Sequence, residues 1–349
     1  MLSFLLAFAS AFLLTILLTP LAKWKAAWLD AFDHPNEPRR VHQTPMPRLG
    51  GVAIFTAFAL GWAVLVWFDP SFFSTGILLL AATPIFLLGV VDDLRGVGER
   101  LKLIVPTGCA VLLFTSGWRI TSLSLLPEIA FSLPLWLDFV LTVLWVVGMT
   151  NAFNLIDGLD GLAVGIAALA LAALLVCALL LGQQEAALLT VLLLGALLGF
   201  LPYNFYPAKI FLGDSGSLWI GFVIAALLLR GTANEAGLMA LTAPTILGLP
   251  LLEAVVTLLR RWIAGHPLLP GDRGHFHHKL LELGCSQPQA VLRLYAVGLV
   301  FAASGVILLM AGTPLTIGML LLLGLGIVWG VRALPYSEFR NRTRRSEPL

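Results

Sequence analysis

Apolar residues run in blocks of about twenty along most of this chain, and polar residues are confined to the short stretches between them. "LSFLLAFASAFLLTILLTPLA" is the first block, and "LPLWLDFVLTVLWVVGM" and "IAALALAALLVCALLLG" are later ones. Runs of this length suit helices that cross a bilayer. A membrane barrel would instead alternate apolar and polar positions in segments of about ten, and the sequence has no such alternation. The pattern predicts an all-α fold, a polytopic membrane helical bundle of ten or eleven transmembrane helices. Their expected positions are 2–22, 49–68, 74–91, 102–117, 133–150, 161–182, 186–204, 215–230, 236–263, 289–311 and 313–332. The fourth and eighth are short and need tilt or neighbouring helices to span. The ninth contains Pro244, Gly248 and Pro250, which predicts a kink.

Composition agrees with the pattern. The chain is 59% hydrophobic and 11% charged, against about 25% charged for a soluble domain. A net charge of +2 points to no particular partner, and no basic arm or aromatic-basic strip suggests nucleic acid. Cys109, Cys177 and Cys285 are scattered without metal-ligand spacing and read as packing residues. Lys23 and Lys25 follow the first apolar block, which suits a retained span better than a cleaved signal. No repeat is evident. The expected organisation is one integral-membrane domain over 1–335 and a basic tail over 336–349. No feature encodes oligomeric state, and a homodimer is one arrangement to test.

The basic residues predict an orientation. With the N-terminus outside, the outer loops hold only Arg119 and Arg230, and the other 19 of the 21 Lys and Arg lie on the inner side. That asymmetry predicts N-terminus out and C-terminus cytoplasmic. Every loop rich in chemically active residues then falls on the cytoplasmic face. A transporter would place such groups near the membrane midplane instead.

Each polar cluster has a plain reading and a chemical one. Asp92 and Asp93 in "VVDDLRG" are either a solvated helix end or a repelling pair that needs a cation. In "NAFNLIDGLDGL", Asp157 and Asp160 share a face if a helix begins there; capping accounts for one acid but not for the second or for Asn154. Asp214 in "FLGDSGS" either caps the following helix or meets a ligand beside Gly213 and Gly216. His275, His277 and His278 in "DRGHFHH", with Arg273, suit anionic phosphates better than zinc, because cysteine and HExxH are missing. Arg39, Arg40, His42 and Arg48 form a basic loop that is either a lipid-facing anchor or part of a site, and Arg100 and Lys102 pose the same choice. Acids that hold a hard cation, set against bases and imidazoles, suit phosphoryl transfer.

"PRLGG", "DDLRGVGERLK", "NAFNLIDGLDGLAVG", "FLGDSGS" and "DRGHFHH", in that order over residues 35–284, resemble the polyprenyl-phosphate N-acetylhexosamine-1-phosphate transferases, the WecA–MraY family. The resemblance implies transfer of a sugar 1-phosphate from a UDP-N-acetylhexosamine to a membrane polyprenyl phosphate, with release of UMP and with magnesium, or manganese in its place. It implies that Asp92 or Asp93 deprotonates the lipid phosphate and that Asp214, with Asp157 and Asp160, holds the metal. Asn154, Lys102, Arg273, His275, His277 and His278 are implied to contact the nucleotide sugar, with Arg40 and His42 as further substrate contacts. "DRGHFHH" resembles members that use UDP-N-acetylglucosamine rather than the muramoyl-pentapeptide branch. Glu253 in "GLPLLEAV" departs from an aspartate common in relatives and takes no role from the resemblance. The implied location is the inner membrane of a bacterium, with the site facing the cytoplasm. The rival from outside enzymology is a transporter of lipid-linked sugars.

Overall fold

The computed structural model describes residues 2–34, 44–126, 129–232, 241–265 and 274–336. Among the described residues there are thirteen α-helices: α1 (Leu2–Trp28), α2 (Gly50–Phe68), α3 (Gly76–Arg95), α4 (Leu101–Thr115), α5 (Leu135–Ile156), α6 (Leu162–Leu180), α7 (Gln184–Asn204), α8 (Asp214–Thr232), α9 (Thr242–Ile246), α10 (Gly248–Ala264), α11 (Phe276–Glu282), α12 (Gln287–Met310) and α13 (Thr313–Ala333). Among the described residues, eight helical stretches are long and apolar enough to cross a membrane, and α4 is a shorter apolar helix. The protein is a multi-pass membrane protein.

Two departures from the expected pattern have local causes. The chain is not purely helical: Phe32–Asp33 (β1) pairs with Met46–Pro47 (β2), and Ser122–Leu126 (β3) pairs with Ile129–Ser132 (β4), both antiparallel. These hairpins lie in loops, too short to register as periodic runs. The ninth expected span, whose first residues fall outside the described residues, is broken at Leu247 into α9 and α10. Pro250 has no amide hydrogen for an unbroken helix. Beyond the break, Pro250, Glu253, Val256, Thr257, Arg260 and Arg261 are buried, whereas Val255, Leu258, Leu259 and Trp262 are exposed. α10 is therefore amphipathic with its polar side turned inward. Tyr336, the first residue of the expected tail, is buried against the core; the rest of that tail lies outside the described residues.

Packing follows from side-chain size. α1 buries Ala7, Ala11, Thr15, Thr19, Ala22 and Ala26, one stripe of small residues, which lets its backbone approach α7 and α2. Leu5, Leu13, Leu17 and Leu21 on its other side stay exposed, as lipid-facing residues do. At its end Lys25 lies over the rings of Trp24 and Trp28. α13 buries only Thr316. α8 is the opposite case. Leu218, Trp219, Ile220 and Phe222 through Leu229 are fully buried, because α2, α3, α5, α6 and α7 all pack against it. A helix apolar on every side belongs at the centre, so the N-terminus of α8 opens where its neighbours' loops converge.

Candidate active site

The first turn of α8 leaves amide hydrogens without helical partners. Asp93, in the last turn of α3, meets two of them. Its Oδ1 accepts from the Asp214 amide at 2.9 Å and its Oδ2 from the Ser215 amide at 3.1 Å. The Asp93 side chain is wholly buried. Gly213, at φ +74°, is the hinge that permits this approach, since a Cβ there would run into the Asp93 carboxylate.

A second strand of chain brings the bases. Phe211 donates to the Pro47 carbonyl, and Gly50 and Gly51 donate to the carbonyls of Phe211 and Leu212. The "PRLGG" and "FLGDSG" motifs are thus laid side by side. Arg48 is carried to the carboxylates by this pairing: its Nε donates to Asp93 Oδ1 at 3.2 Å, Nη1 reaches Asp33 at 3.4 Å, and Nη2 lies 3.7 Å from Asp92. Burial opposes the charge on Arg48, but Asp93, Asp214 and Asp33 more than offset it and hold the guanidinium above its ordinary range. Lys102, from α4, donates to Asp214 Oδ2 at 2.5 Å and lies 3.1 Å from Asp92 Oδ2. Asp92 Oδ1 accepts from the Val97 amide at 2.7 Å.

α5 delivers the next group. Asn154 Nδ2 donates to Ser217 Oγ at 3.0 Å. Asp157, just past the end of α5, is only partly screened from solvent by surface area but is set deep among packed atoms. Burial, then the negative charges of Asp214, Asp93 and Asp160, push its carboxyl well above the usual range, against the pull of Arg48. Asp160 stands within electrostatic reach of Asp157, and its Oδ2 accepts from the Ala208 amide at 2.9 Å and so pins the α7–α8 loop. The same loop is held by Asn204, which accepts from the Gly161 amide and donates to the Ile210 carbonyl.

The histidines reach this site through α11. His277 is buried at the position where a Cβ on Gly158 would stand, so the bare backbone of "DGLDG" is what seats its ring against the residue that follows Asp157. Burial, with His278 and then His275 nearby, holds His277 well below the usual imidazole range, in the neutral form. The rings of His275 and His277 stack at 5.6 Å, and those of His277 and His278 tilt at 4.3 Å. Glu253 of α10 meets the start of α11, accepting from His275 Nδ1 at 2.8 Å and from the Phe276 amide at 2.9 Å. Arg40, His42 and Arg273 lie outside the described residues.

Asp92, Asp93, Asp157, Asp214, Asn154 and Lys102 are therefore brought together, with the three histidines along one edge. Arg48 and Glu253 are the residues that motif reading undervalued. Arg48 stood in a quoted motif, but a base beside a proline-rich loop has the same appearance whether it anchors lipid or pairs with acids. Among the described residues no three acid or imidazole groups stand as a ready-made cation shell. The donor chemistry still fits a hard divalent ion: carboxylates outnumber bases here, and Lys102 bridges Asp92 and Asp214 where positive charge is needed. Magnesium commonly takes one or two carboxylates and completes its shell with waters and phosphates.

Comparison with known proteins bears on this arrangement. The profile described as Glycosyl transferase family 4 matches residues 75–232. A Bacillus subtilis protein named probable undecaprenyl-phosphate N-acetylglucosaminyl 1-phosphate transferase is 34% identical over 348 residues, 99% of this chain and 96% of that one. A Mycobacterium tuberculosis decaprenyl-phosphate N-acetylglucosaminephosphotransferase is 33% identical over 79% of this chain and 75% of its own. A Geobacillus kaustophilus phospho-N-acetylmuramoyl-pentapeptide-transferase is 32% identical over 74% and 82%, respectively. Near-complete alignment at this identity, across the segments that build the carboxylate cluster, places the chain in glycosyl transferase family 4, among the enzymes that transfer N-acetylhexosamine 1-phosphate to polyprenyl phosphate.

Proposed function

We propose that this protein transfers N-acetylglucosamine 1-phosphate from UDP-N-acetylglucosamine to undecaprenyl phosphate at the cytoplasmic face of a bacterial plasma membrane, starting a lipid-linked envelope glycan. The observation that carries the reading is the carboxylate cluster at the α8 N-terminus, with the histidines of α11 seated against Gly158 at its side. An anionic nucleotide sugar needs cationic and imidazole contacts, and a phosphate nucleophile needs a base; both are within this one pocket. The Bacillus and Mycobacterium names support the choice of sugar.

In this reading the two adjacent acids have separate tasks. Asp93 is committed to the α8 backbone and to Arg48, so it fixes the frame. Asp92, which faces Lys102, accepts the proton of the lipid phosphate. A lipid phosphate oxygen then attacks the β-phosphorus, the bond from that phosphorus to the bridging oxygen breaks, and UMP leaves with the bridging oxygen. Lys102, His278 and the basic residues of the histidine loop stabilise charge on the phosphates. Asp214 and Asp157 would hold magnesium, which when bound neutralises charge on the transferring phosphates.

The test is to give the purified protein UDP-N-acetylglucosamine, UDP-N-acetylgalactosamine and UDP-N-acetylmuramoyl-pentapeptide in turn, each with undecaprenyl phosphate, and to measure UMP. Release with the first substrate, loss on chelation, recovery with magnesium, and loss in Asp214→Asn are expected. Turnover of the pentapeptide substrate alone would refute the assignment of sugar, and turnover of none would refute the reading.

A further inference from the structure

The mechanism above leaves a buried acid beside the histidine segment without a task. Glu253 is 2% exposed and sits on α10, a helix that contributes nothing to the carboxylate cluster. Its two oxygens are directed at α11: Oε1 lies 2.8 Å from His275 Nδ1 and 3.3 Å from Thr257 Oγ1, and Oε2 accepts from the Phe276 amide at 2.9 Å. His275 caps α11 by position yet makes no capping bond with its own side chain. Glu253 supplies that bond from another helix.

We propose that Glu253 is a positioning residue for nucleotide-sugar binding, a clamp that sets both the place of α11 and the ring orientation of His275. This role for Glu253 rests on the functional reading given above. A carboxylate acceptor on Nδ1 requires that nitrogen to carry the proton, so Nε2, on the opposite edge of the ring, is the one left to meet other groups. The Phe276 amide fixes the backbone one residue further on. Through the stack of His275 on His277, and the seat of His277 on Gly158, the clamp sets the distance from the histidine segment to Asp157. α10 follows the break at Leu247, so a packing element otherwise facing lipid thereby governs the site edge.

Glu253→Gln is the informative change, because it keeps the size and one acceptor. Its amide can serve the Phe276 N–H or the ring nitrogen as acceptor, but not both. The expected result is a rise of about 10- to 100-fold in KM for the UDP-sugar, the loss associated with one charge-assisted hydrogen bond, with KM for the lipid phosphate unchanged. In His275→Ala the same change adds little further loss, because the partner is already gone. The Nδ1-bound proton of His275, observed by nitrogen-edited NMR of histidine-labelled protein, is lost or shifted in Glu253→Gln. Unchanged KM for the UDP-sugar, or fully additive losses in the double variant, overturns the proposal. Absence of turnover in the wild type overturns the functional reading instead, and the ring proton then decides the clamp: an unmoved signal in Glu253→Gln overturns it.

Discussion

Arg48 is the counter-charge to a carboxylate that has no access to solvent. Asp93 can remain ionised in its wholly buried setting only with two amide hydrogens and a guanidinium against it. Arg48→Gln leaves that charge uncompensated, and removal of one partner of a buried pair costs roughly 3–5 kcal/mol. The expected outcome is a clear fall in thermal unfolding temperature in detergent, with Asp93→Asn in the same chain restoring part of the loss; a double variant no more stable than Arg48→Gln would count against the pairing. His277 gives a pH signature. Its fold-depressed affinity for protons means that below about pH 6.5 the unfolded chain binds a proton that the folded chain resists, so stability falls as pH drops. Asp157 works in the opposite direction, because burial and like charge raise its carboxyl. The two are separated by comparing wild type with His277→Gln between about pH 7.5 and 5.5: the variant should lose less stability on acidification. Residue identities of the acids were legible in their motifs. Which oxygen faces which base was not, because Asp92 and Asp93 are neighbours in sequence and share Arg48, yet Lys102 meets only Asp92 of the two and the α8 amides meet Asp93.

At the scale of elements, close approach at glycine decides the site. Gly158 must be bare for His277 to enter. Gly158→Ala should cut UMP release by more than about tenfold through displacement of α11, while the chain stays folded; the check is turnover together with intrinsic tryptophan fluorescence on heating. The span pattern was readable from hydropathy, since each long apolar run needs a hydrogen-bonded helix to enter lipid. The division of the ninth run was foreshadowed by its prolines and glycine. The inward polar side of α10 was less legible, because Glu253 looks like any acid near a helix end until α11 is seen against it. Asp160 stands within reach of Asp157, as motif spacing suggests, but its bond to the Ala208 amide is decided by the fold alone.

Across the whole molecule, alternating helices put the ends of α3, α5 and α7 and the starts of α4, α6 and α8 at one end of the bundle. The opposite end holds Arg119 paired with Asp138, and Arg230 paired with Glu185 and set over Trp118. The two bases that break the charge asymmetry are therefore both neutralised locally. With Cys285 replaced by serine, cysteines introduced at Gln183 and Lys209 test the orientation. Gln183 should react with a membrane-impermeant thiol reagent in intact cells and Lys209 only after permeabilisation; the reverse pattern would invert the expected topology. Buried Cys109 and Cys177 are not expected to interfere.

The sequence by itself determined that the chain lives in a bilayer, roughly where its helices run, and which polar residues are available for chemistry. Those properties are local: they depend on transfer energies of successive side chains and on motifs a few residues long. The tertiary structure decided that α8 is central, that Arg48 and Lys102 meet across Asp92 while Asp93 pairs with the first and Asp214 with the second, and that Glu253 meets the start of the histidine segment. These are contacts between residues tens to more than a hundred positions apart. Such pairings depend on which helix faces interlock, and small residues at Gly158 and Gly213 permit them without announcing their partners.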